Sequence, residues 1–112
     1  MPDVANLNES DLADWGVVPE PLSEAVSRTS GKVIVGGGGA FPEAGYWRCT
    51  PGSWRCEVER DEFCHFLEGS CLYTHDNGEE IAIKGGDTAW FPAGWRGRCD
   101  VHDTVAKVYL IR

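Results

Sequence analysis

From Lys32 onward the apolar positions of this chain fall in short alternating or continuous runs, punctuated by Gly, Pro and Asn. That pattern has a period of two, so it predicts strands and not helices. The runs are Lys32 to Val35, Gly45 to Cys49, Ser53 to Val58, Glu62 to Leu67, Cys71 to His75, Glu80 to Lys84, Thr88 to Phe91, Arg98 to His102 and Val105 to Ile111. Nine short strands in this spacing predict an all-β sandwich or closed barrel. Thr50-Pro51-Gly52 reads as a tight turn, with Pro fixing φ and Gly supplying a positive one, and Asp76-Asn77-Gly78 is a hairpin signal between Tyr73 and Ile81. Residues 1–31 behave differently. They sustain no period, hold three of the six prolines, and carry only short helical hints at Asp11 to Trp15 and Leu22 to Val26. The expected organisation is an N-terminal arm over 1–31 and one barrel domain over 32–112.

A chain of 112 residues accommodates one core of ordinary domain size. A domain this small buries only about two-thirds of the surface its unfolded chain exposes, which makes a homodimer the expected assembly. Charge changes the picture further. Eighteen acidic residues against ten basic ones give a net charge of −8, and no stripe of Lys and Arg offsets it locally. Such a surface repels phosphate backbones and anionic headgroups, so neither nucleic acid nor membrane is expected as a partner. The acidic N-terminal stretch lacks the basic-then-apolar order of a secretory signal, and no apolar run approaches the length of a membrane span. The expected location is therefore cytoplasmic. The five cysteines, Cys49, Cys56, Cys64, Cys71 and Cys99, form an odd set without a Cys-x-x-Cys pair, and read as reduced, buried thiols.

Two features that could signal chemistry do not. Gly36 to Gly39 follows a strand, but Ala40-Phe41-Pro42 comes next where a dinucleotide fingerprint needs a helix, so the run reads as a flexible connection between strands. His65, His75 and His102 are scattered and make no triad, and no serine-hydrolase elbow is present.

The informative stretch is Trp54 to Gly69, ending Leu67-Glu68-Gly69, followed by Gly85-Gly86-Asp87-Thr88-Ala89-Trp90-Phe91-Pro92-Ala93-Gly94. The first resembles the Glu-x6-Gly motif and the second the Gly-x5-Pro-x-Gly motif of cupins, with a hairpin between them as in that family. The resemblance implies a double-stranded β-helix, or jelly-roll barrel. Within cupins, Trp47-x-Cys49-Thr50-Pro51-Gly52, Glu62 to His65, Gly86-Asp87, Pro92-x-Gly94 and Lys107-x-Tyr109 resemble the ureidoglycine aminohydrolase-like subgroup. Metal-binding cupins take a His-x-His pair shortly before the glutamate, the glutamate itself, and a third histidine after the Pro-x-Gly glycine. Those positions fall here on Arg55 and Glu57, or on Cys56 and Val58, then on Glu62 and on Gly97. Only Glu62 survives as a ligand, and one carboxylate does not hold a divalent ion in a site that ordinarily uses three or four protein ligands.

Strand alternation then suggests what faces inward. Trp54, Cys56 and Val58 form the apolar set of their strand, while Glu62, Cys64 and Phe66 share a face. A carboxylate in an apolar cup needs a partner. Lys107, on one strand face with Tyr109, is the candidate, so that a Glu62, Lys107, Tyr109 cluster stands where the family's ion would be. Trp47, Trp54, Cys56, Cys64, Phe66 and Trp90 are the expected pocket walls. The leading functional expectation is a small-molecule-binding module with no metal and no cofactor. Against it stands an enzyme resembling the aminohydrolase, acting on a small nitrogenous or carboxylate metabolite. There Glu62 serves as acid or base, and a divalent transition metal near Glu62 enlists Glu57 or Cys64. A barrel filled by its own side chains would instead indicate a structural dimer.

Overall fold

A computed structural model describes residues 11–112. The described residues fold into eight antiparallel strands: β1 (Ala13–Val17), β2 (Arg28–Gly37), β3 (Ala40–Cys49), β4 (Gly52–Glu57), β5 (Glu62–His75), β6 (Glu80–Lys84), β7 (Thr88–Phe91) and β8 (Arg96–Ile111). The all-β cupin expectation holds, with instructive differences in how the strands are cut. Glu62 to Leu67 and Cys71 to His75 are halves of one strand, as are Arg98 to His102 and Val105 to Ile111. Each long strand bends where its partner bends. The β5–β8 register shifts between Phe66 and Cys71, opposite Val101 to Lys107. Gly69 makes that corner possible: its φ is +88°, and a Cβ there would strike the Thr104 carbonyl oxygen.

The bend divides the strands between two walls. The C-terminal half of β8 and the N-terminal half of β5 carry β3, β2, β1 and β7, while the other halves carry β4 and β6. Between the walls lies the core, where Tyr73 meets Phe91 at 4.8 Å, Trp95 at 5.9 Å and Phe66 at 6.5 Å, ring centre to ring centre. All five cysteines are free thiols buried in or beside this core.

Three local expectations change. Thr50-Pro51-Gly52 does not fold neighbouring strands onto each other. Strands β3 and β4 pair with successive parts of β8, Cys49 with Val105 and Gly52 with Val101, so the turn carries the chain around a corner along one edge of β8. Gly36 to Gly39 is a tight reversal between β2 and β3, in which all four glycines adopt positive φ and Gly37 pairs with Ala40. The helical hints give way to extended chain and bends after Asp11, which lies in a 3-10 turn. Ala13–Val17 is a strand paired with β2, with a register shift between Asp14 and Gly16, and Leu22 to Val26 runs as bends. The first ten residues of the expected arm lie outside the described residues; the remainder adds an edge strand to the barrel. The Asp76-Asn77-Gly78 turn closes the β5–β6 hairpin, with Tyr73 opposite Ile81 as its residues predict. No helix among the described residues is long and apolar enough to cross a membrane.

Candidate functional site

The inner face of β8 carries Lys107, Tyr109 and Ile111 at every second position, and its neighbours supply the rows beside them. Trp47 of β3 and Phe66 of β5 flank Lys107, Gly45 and Cys64 flank Tyr109, and Glu43 and Glu62 flank Ile111. A small residue at 45 matters because the Tyr109 ring lies over it: a Cβ at Gly45 would stand 2.9 Å from the Tyr109 hydroxyl.

These side chains reach diagonally across the rows. Lys107 Nζ donates to Glu62 Oε2 at 2.6 Å, and the Tyr109 hydroxyl donates to Glu43 Oε2 at 2.9 Å. The Lys107 ammonium also lies 4.5 Å from the Trp47 ring centre and 5.8 Å from that of Phe66, an arrangement that aromatic faces favour. Lys107 is only 7% exposed. Burial by itself would lower its pKa, but the Glu62 charge and hydrogen bond outweigh it, so the ammonium is held in its charged form. The Tyr109 hydroxyl is driven the same way, upward, first by burial and then by its bond to Glu43. Both donors therefore keep their protons at neutral pH.

Beyond this double pair is a cavity of about 450 Å³. Its walls are aromatic, formed by Trp15, Phe41, Trp47, Trp54, Tyr73 and Phe91, and its polar lining is Glu43, Glu57, Glu59, Arg60, Glu62, Lys107 and Tyr109. The loop between β4 and β5 that carries much of this rim is latched by the second sequence motif. Gly94 N–H donates to Val58 O at 2.7 Å, Val58 N–H to Trp95 O at 2.9 Å, and Ala93 N–H to the Asp61 carboxylate at 2.8 Å. The Pro92-x-Gly94 turn thereby positions Glu57 to Glu62.

Of the residues singled out in the sequence, Glu62, Lys107, Tyr109, Trp47, Trp54 and Cys56 line the cavity. The triad does not close as one cluster, because the Tyr109 hydroxyl is turned to Glu43 and not to Glu62. Cys64 and Phe66 share the inner face with Glu62 but are wholly buried beneath the cavity floor. Cys64 donates its S–H to Ala89 O at 3.7 Å, and burial pushes its thiol up to about 11, which leaves no thiolate for nucleophilic work. Trp90 is a correction. On β7 the inward positions are Ala89 and Phe91, so Trp90 is 48% exposed on the outer face, registered against Phe63 of β5, which in turn faces Leu110 of β8. Sequence reasoning missed Trp15, Phe41, Glu43, Glu59 and Arg60. Glu43 had a signal, two positions from Gly45 and four from Trp47 on one face of a strand, once that strand is extended through Pro42.

The ligand positions of metal-binding cupins do not fit a metal here. At the Gly97 position a Cβ would strike the Thr74 carbonyl oxygen and stand 2.7 Å from the Trp95 ring, so a side chain has no room. Cys56, opposite Gly97, has its thiol pushed up to about 12 by burial and stays protonated. The remaining carboxylate, Glu62, is already engaged by Lys107. Among the described residues no group of three or more His, Cys, Asp or Glu side chains is arranged to hold an ion.

Residues 36–109 match the model of the EutQ-like cupin domain. Among curated proteins nothing matches. Among solved structures, a Pseudomonas syringae pv. tomato protein of unknown function from the DUF861 family superposes with a TM-score of 0.79 at 17% identity over 90% of this chain, although the chain spans only 44% of that protein. The EutQ ethanolamine utilization protein of Salmonella typhimurium superposes with a TM-score of 0.64 at 22% identity, over 78% of this chain and 69% of the other. A DUF861 family protein of Thermotoga maritima has 30% identity over 60% of this chain and 76% of its own length, with a TM-score of 0.59.

Proposed function

This chain belongs to the EutQ-like cupin domain family, and from that premise we propose that it is a small-molecule-binding module whose barrel cavity recognises its ligand without a metal. The observation that carries the reading is the cavity itself. It measures about 450 Å³, within the range of small-ligand pockets, and its aromatic walls surround a small set of fixed polar groups. The buried Lys107–Glu62 pair supplies the fixed charge near which metal-binding relatives of the fold would place an ion. The narrower likeness to the ureidoglycine aminohydrolase-like subgroup rests on the motifs around Trp47, Glu62, Pro92 and Lys107. It fits a small nitrogenous or carboxylate ligand without supplying that enzyme's ion.

The test is a thermal-shift screen of a small-metabolite panel on the full chain and on Trp47→Ala. Compounds that stabilise the full chain are expected to lose at least half of their shift in Trp47→Ala. If every stabilising compound acts equally on both proteins, or none stabilises either, the cavity is not a binding site.

A further inference from the structure

The hydrogen-bonding balance of the cavity indicates which chemistry its ligand carries. Four carboxylates line it, Glu43, Glu57, Glu59 and Glu62, against two cations, Arg60 and Lys107. Each cation already has a partner, which takes one of the five N–H donors of Arg60 and one of the three of Lys107. Lys107 gives a proton to Glu62 and lies on the Trp47 ring, while Arg60 donates its Nε–H to the Arg112 carbonyl oxygen at 3.0 Å and stacks 3.7 Å above the Phe41 ring centre. The Tyr109 proton is likewise spent, on Glu43.

Acceptors outnumber the donors that remain, which are the other N–H groups of Arg60 and Lys107 and the Trp54 indole N–H, buried without a hydrogen-bond partner among the described residues. A carboxylate offers two oxygens and about four lone-pair sites. Glu43 receives one bond from a neutral hydroxyl, and among the described residues no Lys or Arg side chain stands within ion-pairing distance of it. Glu62 uses one oxygen on Lys107. Glu57 has a long contact of 3.9 Å with Arg96 and an electrostatic interaction with Arg55. An anionic ligand would meet four carboxylates against two cations, one of them neutralised by Glu62, whereas a ligand that carries positive charge and N–H donors meets the excess of carboxylate oxygens. The walls favour the same choice: the chain's own cations already occupy the faces of Trp47 and Phe41, and among the described residues no Lys or Arg lies on the ring of Trp15 at the same cavity.

We propose that the ligand of this cavity is a small organic cation bearing N–H donors, an ammonium or guanidinium group, which docks on the free oxygen of Glu43 against the Trp15 side of the cavity. This rests on the small-molecule reading above and narrows it to a class.

The experiment uses three probes of one chain length and different head charge: n-butylammonium, butyramide and butyrate. Each is titrated into the ¹⁵N-labelled full-length protein at pH 7, following the indole N–H signals of Trp15, Trp47 and Trp54. The ammonium is expected to bind about tenfold or more tighter than the carboxylate, the margin of one hydrogen bond to a charged group, with the amide between them. In Glu43→Gln, which keeps the shape of the side chain, the ammonium should fall to the affinity of the amide. Two outcomes overturn the cation while leaving the small-molecule pocket standing: butyrate binding at these signals as tightly as the ammonium, or an ammonium affinity unchanged by Glu43→Gln. If all three probes leave the indole signals unmoved, the pocket reading itself falls with the inference.

Discussion

The Lys107 ammonium stands 2.6 Å from the Glu62 carboxylate, with the two side chains only 9% and 17% exposed, so both charges are largely withdrawn from water. Removing one partner leaves the other buried and uncompensated, a far larger cost than the net value of the pair. Lys107→Met is therefore expected to lose about 3 kcal/mol of stability, and the double variant Glu62→Gln with Lys107→Met to recover more than half of it. Urea denaturation at pH 7 measures both. A single variant within about 1 kcal/mol of the wild type would mean that Glu62 is solvated, and that the pair does not organise the cavity.

Gly97 gives a second expectation, independent of the ion pair. It sits opposite Cys56 in the β4–β8 ladder, and the space that a side chain would need is filled by the Thr74 carbonyl and the Trp95 ring. Restoring histidines at the metal-binding positions, as Cys56→His with Gly97→His, should then produce a protein that unfolds and not one that gains a metal. Gly97→Ala alone should cost about 2 kcal/mol or more, because backbone must shift. A folded double variant carrying a full equivalent of zinc or nickel would show that the corner yields more easily than its geometry implies.

The pH dependence follows from the buried thiols. Burial raises Cys49 and Cys64 to about 11 and Cys56 to about 12, from an ordinary value of 9.0. A raised value means that the folded chain holds its proton more tightly than the unfolded chain, so stability is fully present below pH 9. Above that, the unfolded thiols ionise and the folded ones do not. Stability should fall by about 1.4 kcal/mol per pH unit for each thiol until the folded values are reached. Denaturation between pH 8 and pH 11 measures the slope, and replacing Cys64 by Ala should make it shallower. A flat profile over that window would place the thiols in contact with solvent.

The barrel was legible because its punctuation is local. Asp76-Asn77-Gly78 sets the β5–β6 register, and the glycines and prolines of the two motifs sit where the chain turns, so residues close in sequence determine them. Lys107 and Glu62 were readable as partners for a different reason: an inward carboxylate demands a cation, and Lys107 shares a strand face with Tyr109 in the closing motif that the resemblance supplied. What failed was the facing of side chains past an irregularity. A strand has a period of two, so a single shift reverses every later assignment. Strand β1 was hidden because its register slips between Asp14 and Gly16. Strand β3 was begun too late because Pro42 argues against a strand, which removed Phe41 and Glu43 from view. Trp90 was placed inside because tryptophan suits a pocket, although its neighbours Ala89 and Phe91 occupy the inner positions. Tyr109 was set beside Glu62 because Glu43 was not yet in the picture.

Trp15 shows how the edge strand serves the site. Strand β1 has five residues, four of them exposed, and among the described residues it pairs only with β2. A strand so short and one-sided has little to hold it, apart from the Trp15 ring, which lies directly over Gly31, the buried Val18 that follows, and the exposed Arg28–Asp14 pair. Exposed ion pairs contribute little, so the ring contact is the main anchor on this strand. Trp15→Ala is expected to raise amide exchange in Ala13–Val17 about tenfold or more, while β5 and β8 keep their protection, because local opening there does not require the core to open. Hydrogen exchange read by mass spectrometry separates the two regions. Equal acceleration across β5 and β8 would mean that Trp15 supports the whole barrel; unchanged exchange in β1 would shift the anchor to Val18 and leave Trp15 as a wall of the cavity alone.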